Sequence, residues 1–129
     1  QLSAIANVAR SAAAGVVPFR VEVADPGSFG TKVLFLTIND DEGKLRHLNV
    51  TIEAASAAAG LKAERLTFKP HLTLARIRSG KGIGPLIEAF LGEHFAAIEF
   101  EVREMVLYES RLSPASSQYL AIERFPLGG

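Results

Sequence analysis

Apolar and polar positions recur along this chain with two different periods, and the changes between them mark its elements. Leu2, Ile5, Ala6, Val8, Ala9 and Ala12 fall at helical spacing, and Gly15 stops the run. Val17, Phe19, Val21 and Val23 then alternate with Arg20, Glu22 and Ala24, the pattern of a half-buried strand. Asp25-Pro26-Gly27-Ser28 reads as a turn, and Val33 to Ile38 as a second, more buried strand. Asn39, Asp40 and Asp41 offer N-caps for a helix whose inner face carries Leu45, Leu48, Ile52, Ala55 and Ala59 and which ends at Gly60.

The period returns to two in Lys69-Pro70-His71-Leu72-Thr73-Leu74-Ala75-Arg76. Pro70 excludes a helix interior and biases Lys69 toward extended backbone. Strict alternation puts His71, Thr73 and Ala75 on one face and sends Leu72 and Leu74 into a core. Residues two apart on a strand face are roughly 6.5–7 Å apart, a separation that a phosphate can bridge. Ser79 to Gly84 forms a glycine-rich basic loop, a candidate lid whose glycine spacing does not match a phosphate-binding P-loop. Pro85 opens a helix through Leu86, Ile87, Phe90 and Leu91. Ile98, Phe100 and Val102 alternate in a strand that Met105 and Leu107 continue after a bend. Ser113 to Ser117 is a loop, and Tyr119 to Phe125 is the last strand.

At 129 residues the chain has the length of one domain, with formal net charge zero. That balance removes any global electrostatic claim on nucleic acid, so the local distribution matters more. Arg65, Lys69, Arg76, Arg78 and Lys81 surround the His71 strand, and no acidic residue lies between Arg65 and Leu86. Concentrated positive charge around a histidine points to an anionic ligand. A bare His-x-Thr also occurs on strands that do no chemistry. The chain has no cysteine, hence no disulfide framework or thiolate metal site, which fits a reducing cytoplasm. No apolar run has the length needed to span a bilayer, and no His and carboxylate cluster suggests a metal.

Phe68-Lys69-Pro70-His71-Leu72-Thr73-Leu74-Ala75-Arg76 resembles the second signature of the 2H phosphoesterases. Within them it is most similar to the RNA 2′,3′-cyclic phosphodiesterases, also called 2′-5′ RNA ligases. Met105 to Leu112, Tyr119 to Ile122 and Phe125-Pro126-Leu127 resemble that family's closing segment. Phe19-Arg20-Val21 and Lys32 to Leu36 resemble its central strand pair. The resemblance implies an α+β fold: two pseudo-symmetric lobes of mostly antiparallel sheet, helices outside, and a central groove. The two lobes are expected at about residues 1–60 and 61–129 of a single domain.

The family takes its name from two His-x-Thr motifs, and this chain has one. Its first half repeats the helix, strand, turn and strand of the second but lacks an opening strand, the place of the family's other motif. The chain also opens at Gln1 inside a helical pattern, without an initiator Met. The expectation is an N-terminal truncation, leaving a chain that is inactive or weak. Neither His47, in a helical pattern, nor His94, near a helix end, is followed by Thr at the motif's offset.

Opening a 2′,3′-cyclic phosphate needs a base to deprotonate water and an acid to protonate the departing ribose oxygen. Histidine suits both tasks, and threonine hydroxyls can donate to the non-bridging oxygens as charge builds there. The resemblance implies that His71 is the proton acceptor and Thr73 its phosphate-binding partner, with no metal or other cofactor. Arg76 could bind phosphate or pair with a carboxylate behind the site, and Lys69 could add to the phosphate-binding charge. Tyr119 and Phe68 could stack on a base or serve the core. Ser110 and Arg111 belong to the closing segment without an assigned role. The expected activity is metal-independent opening of an RNA 2′,3′-cyclic phosphate to a 2′-phosphate by a cytoplasmic monomer, with 2′-5′ ligation as the reverse reaction. The alternatives are a 2H enzyme acting on a small cyclic nucleotide or trimming RNA 3′ ends, and a non-catalytic RNA- or phosphate-binding module.

Overall fold

The computed structural model describes residues 2–61, 67–78, 81–113 and 117–128. Three helices and six strands follow in the order α1 (Leu2–Ala14), β1 (Phe19–Phe29), β2 (Val33–Asn39), α2 (Lys44–Ala58), β3 (His71–Arg76), α3 (Gly84–Leu91), β4 (Ile98–Val102), β5 (Glu104–Leu112) and β6 (Ser117–Pro126). The architecture is α+β, as expected. One sheet has the order β3-β2-β1-β4, the other pairs β5 with β6, and the β1–β2, β2–β3 and β5–β6 ladders are antiparallel.

The chain folds as two compact units, and each draws on both halves of the sequence. One contains residues 1–19, 44–67 and 102–129, and the other residues 20–43 and 68–101. These units do not coincide with the two lobes expected at about residues 1–60 and 61–129. The β1–β2 hairpin takes β3 as its next strand, so the first and second halves are knitted into one sheet. Sequence order carries no record of such a long-range pairing.

In the first unit, α1 buries Ala12 and Ala13, α2 buries Leu48, and the end of β6 and its turn bury Phe125 and Leu127. The Gly128 N–H donates to the Ala13 carbonyl at 2.9 Å and ties the end of β6 to the end of α1. Arg10 on α1 reaches Glu123 on β6 at 2.7 Å and lies over the Phe125 ring. Both charged groups are well exposed, so their pairing adds little to stability.

In the second unit, Val21 and Val23 of β1, Leu34 and Phe35 of β2, and Ile87 of α3 are buried. The segment Asp25 to Ser28, expected to turn, continues β1 instead. Pro26 has no N–H to give the ladder, and the register shifts between Val23 and Pro26 to accommodate it. The actual turn follows Phe29, where Gly30 adopts φ 56° and the Lys32 N–H donates to the Phe29 carbonyl at 3.2 Å. Leu72 and Leu74, expected in a core, are 48% and 50% exposed. Alternation identifies residues that share a face, whereas covering that face depends on neighbours, and β3 is an end strand of its sheet. Ile98 and Phe100 of β4, the other end strand, are exposed for the same reason.

The capping expectations divide. Asp40 closes a turn before α2, its carbonyl accepting from the Gly43 N–H at 2.9 Å, so the helix starts only at Lys44. The C-terminal end does lie where Gly60 placed it. The Gly60 N–H donates to the Ala57 carbonyl at 3.1 Å and the Leu61 N–H to the Ser56 carbonyl at 2.9 Å. This paired closure requires a left-handed residue, and Gly60 has φ 83°. We expect Gly60→Ala to lower stability by about 1 kcal/mol and Gly60→Asn by less, read from urea denaturation midpoints.

Candidate active site

The candidate site is built on three strands whose registers put its residues in rows. Across β2 and β3, Thr37 opposes His71, Phe35 opposes Thr73 and Val33 opposes Arg76. Val33, Phe35 and Thr37 share one face of β2, since they are two apart. Their partners His71, Thr73 and Arg76 therefore share the same face of the sheet. Unbroken alternation would place Arg76 opposite to His71. A register shift between the Leu34–Ala75 and Phe35–Thr73 pairs inserts one extra residue into β3 and reverses its phase. The same shift moves Ala75 opposite Leu34, onto the other face, which corrects the expected grouping of Ala75 with His71 and Thr73.

Across β1 and β2, Gly27 opposes Phe35 and Phe29 opposes Val33, so both belong to this face as well. Phe35 is fully buried there. Its ring lies 4.4 Å from that of Phe29 and 5.2 Å from the His71 imidazole, centroid to centroid. The imidazole also meets Phe29 in a T-shaped contact at 4.9 Å. The Lys69 ammonium lies 5.3 Å from the centroid of Phe35 and 5.9 Å from that of Phe29, within cation–π range.

His71 is exposed, and its Nδ1 lies 2.6 Å from the Lys69 carbonyl oxygen. A carbonyl can only accept, so Nδ1 carries the hydrogen of this bond. In the neutral imidazole the lone pair is then on Nε2, which is free to accept a proton. The ladder continues past both ends of β3. The Ile38 N–H donates to the Pro70 carbonyl at 3.2 Å, and the Ile77 N–H donates to the Lys32 carbonyl at 2.8 Å. The backbone that presents Lys69 and His71 is thereby held on both sides of the motif.

The exposed Arg76 has no ion-pair partner among the described residues, so no carboxylate of theirs neutralises its guanidinium. Phe68 is half-buried beside this strand. Tyr119 belongs to the other unit, opposite Ser110 in the β5–β6 ladder, and is 55% exposed. Arg111 pairs with Glu109 at 2.8 Å. Arg65 and the Ser79-Gly80 part of the basic loop lie outside the described residues. Among the described residues no group of three or more His, Cys, Asp or Glu side chains is placed to hold a metal ion. Among them, too, no helix is long and apolar enough to cross a membrane.

The 2′-5′ RNA ligase superfamily model matches residues 1–113. The chain belongs to this family of 2H phosphoesterases. An RNA 2′,3′-cyclic phosphodiesterase of Geobacillus stearothermophilus is 29% identical over 133 residues, covering all of this chain and 41% of that protein. A protein of the same name from Aeropyrum pernix is 28% identical over 74 residues, covering 54% of this chain and 42% of that one. The chain thus spans about two fifths of the length of these relatives. The fold is that of Escherichia coli LigT, crystallised with 3′-AMP, at TM-score 0.70 and 20% identity, covering 98% of this chain and 68% of that one. A protein of Thermus thermophilus matches at TM-score 0.69 and 23% identity, over 99% of this chain and 70% of its own.

Gly27, Phe29 and Phe35 join the site only through the strand pairing; the sequence pattern places Phe35 in a buried central strand and gives none of the three a role at the site. The available signal was Pro26-Gly27 beside an alternating run, which marks a strand bulge or a close approach of another group as well as it marks a turn. In a long-range heteronuclear NMR spectrum we expect neutral His71 to populate the Nδ1–H tautomer. A dominant Nε2–H tautomer would show that the bond to Lys69 is not formed.

Proposed function

We propose that this chain supplies one half of the catalytic site of a metal-independent RNA 2′,3′-cyclic phosphodiesterase. The observation that carries the reading is the Nδ1 bond of His71 to the Lys69 carbonyl, which leaves Nε2 as a base. In the proposed reaction Nε2 takes a proton from water as the water attacks phosphorus. Thr73 donates to a non-bridging oxygen, and the Arg76 and Lys69 cations balance the charge that accumulates there. The P–O bond to the ribose 3′ oxygen breaks and leaves a 2′-phosphate. The proton for that leaving oxygen comes from a second group, which we assign to the part of the relatives' length that this chain does not span. Neither His47 nor His94 is followed by Thr at the motif's offset. The 129 residues alone are accordingly proposed to be inactive or weak.

Membership in the 2′-5′ RNA ligase superfamily and the names of the two relatives support RNA as the substrate class. The reverse reaction, joining a cyclic phosphate end to a 5′ hydroxyl, would use the same groups. Tyr119 is proposed as a further contact to the RNA, and the working form as a cytoplasmic monomer.

The test uses the polypeptide encoded by the complete reading frame and an RNA ending in a 2′,3′-cyclic phosphate, without added metal. We expect a 2′-phosphate product, and His71→Ala to lower kcat by about 100- to 10,000-fold, the usual contribution of a general base. RNA binding with no product from either protein would favour a binding module that retains only the phosphate contacts.

A further inference from the structure

We propose that Gly27 is a positioning residue for His71 and acts through the ring of Phe35. The inference rests on the catalytic reading of His71 and deepens it. A Cβ at residue 27 would lie 2.5 Å from Phe35 Cε1 and 2.6 Å from Cζ. The ring therefore occupies the volume that any other side chain would need. Gly27 is not among the glycines with positive φ, so space, rather than backbone conformation, is what excludes a side chain.

Phe35 has 0% exposure and no path into solvent. Its ring can yield only against its neighbours, which include Phe29 at 4.4 Å, His71 at 5.2 Å and the Lys69 ammonium at 5.3 Å. These are the groups that frame the imidazole. The His71 ring is itself exposed and is held by the Nδ1 bond and the two phenyl contacts. Displacing Phe35 disturbs both phenyl contacts and leaves the Lys69 carbonyl to orient the ring alone. A misplaced base retains its chemistry but loses its aim, so substrate binding is spared and turnover falls.

The test is a double-mutant cycle of Gly27→Ala and Phe35→Leu in the complete polypeptide. Leucine keeps apolar bulk beside His71 but lacks the outer ring atoms that meet the new methyl group. In the parent background Gly27→Ala should lower kcat about 10-fold with KM changed less than about 2-fold, since small misplacements act on the chemical step. The His71 nitrogen shifts should move toward a mixture of tautomers. In the Phe35→Leu background Gly27→Ala should have no further effect on either readout. If Gly27→Ala alone does not fold, the double variant should fold.

Equal effects of Gly27→Ala in both backgrounds would overturn the proposal. Unchanged His71 signals and kcat in Gly27→Ala would do the same, as would loss of folding in both. Should the parent protein fail to open a cyclic phosphate, the functional reading falls, while the His71 tautomer still decides whether Gly27 positions the ring.

Discussion

The packing of Phe35 against a bare stretch of β1 is the constraint on which the second unit depends. Its strand, β2, has β1 on one side and β3 on the other, so its side chains meet both neighbours. Burying a phenyl ring contributes roughly 1.5–3 kcal/mol, and this ring is completely removed from solvent. It gains that burial only because Gly27 leaves its place open. The same ring then forms the floor on which Phe29, Lys69 and His71 meet. Stability and the candidate chemistry therefore share a single packing arrangement, and a change at one is felt at the other.

Two irregularities in strand pairing complete the arrangement. The shift between Val23 and Pro26 lets β1 pass its proline and enter the ladder with Gly27 opposite Phe35. The shift in β3 brings Arg76 onto the face of His71 and Thr73. Each adds one residue to one strand and reverses every side chain beyond it. A perfectly regular sheet built from the same sequence would present the histidine and the arginine on opposite sides. Only the irregular sheet gathers an imidazole, a hydroxyl and a guanidinium at one surface.

The first unit is held differently. Its core is made of Ala12 and Ala13 on α1, Phe19 at the start of β1, Leu48 on α2, and Phe125 and Leu127 at the last strand and turn. The backbone bond from Gly128 to Ala13 fixes the end of β6 against α1. Much of the β5–β6 ladder stays exposed, and Leu112 is 81% exposed. Its ion pairs, Arg124 with Glu104 among them, lie at the surface and add little stability.

By itself the sequence determined the local elements and the kinds of side chain that the motif carries. Helical spacing located α1, Pro85 opened α3, Gly60 ended α2, and the run around His71 declared a strand with a base and a hydroxyl on one face. These are readable because spacing, proline geometry and glycine conformation act within a few residues. The fold family was legible as well, because the residues around His71 and in the closing segment resemble those of the 2H phosphoesterases. Tertiary structure decided the rest. It turned Asp25–Ser28 into strand, left Leu72 and Leu74 partly exposed at a sheet edge, and moved Ala75 away from His71 and Arg76 toward it. It also knitted both halves of the chain into each compact unit. The physical reason is common to all four: which strand lies beside which, and in what register, depends on contacts between residues far apart in the chain, and local periodicity carries no trace of them.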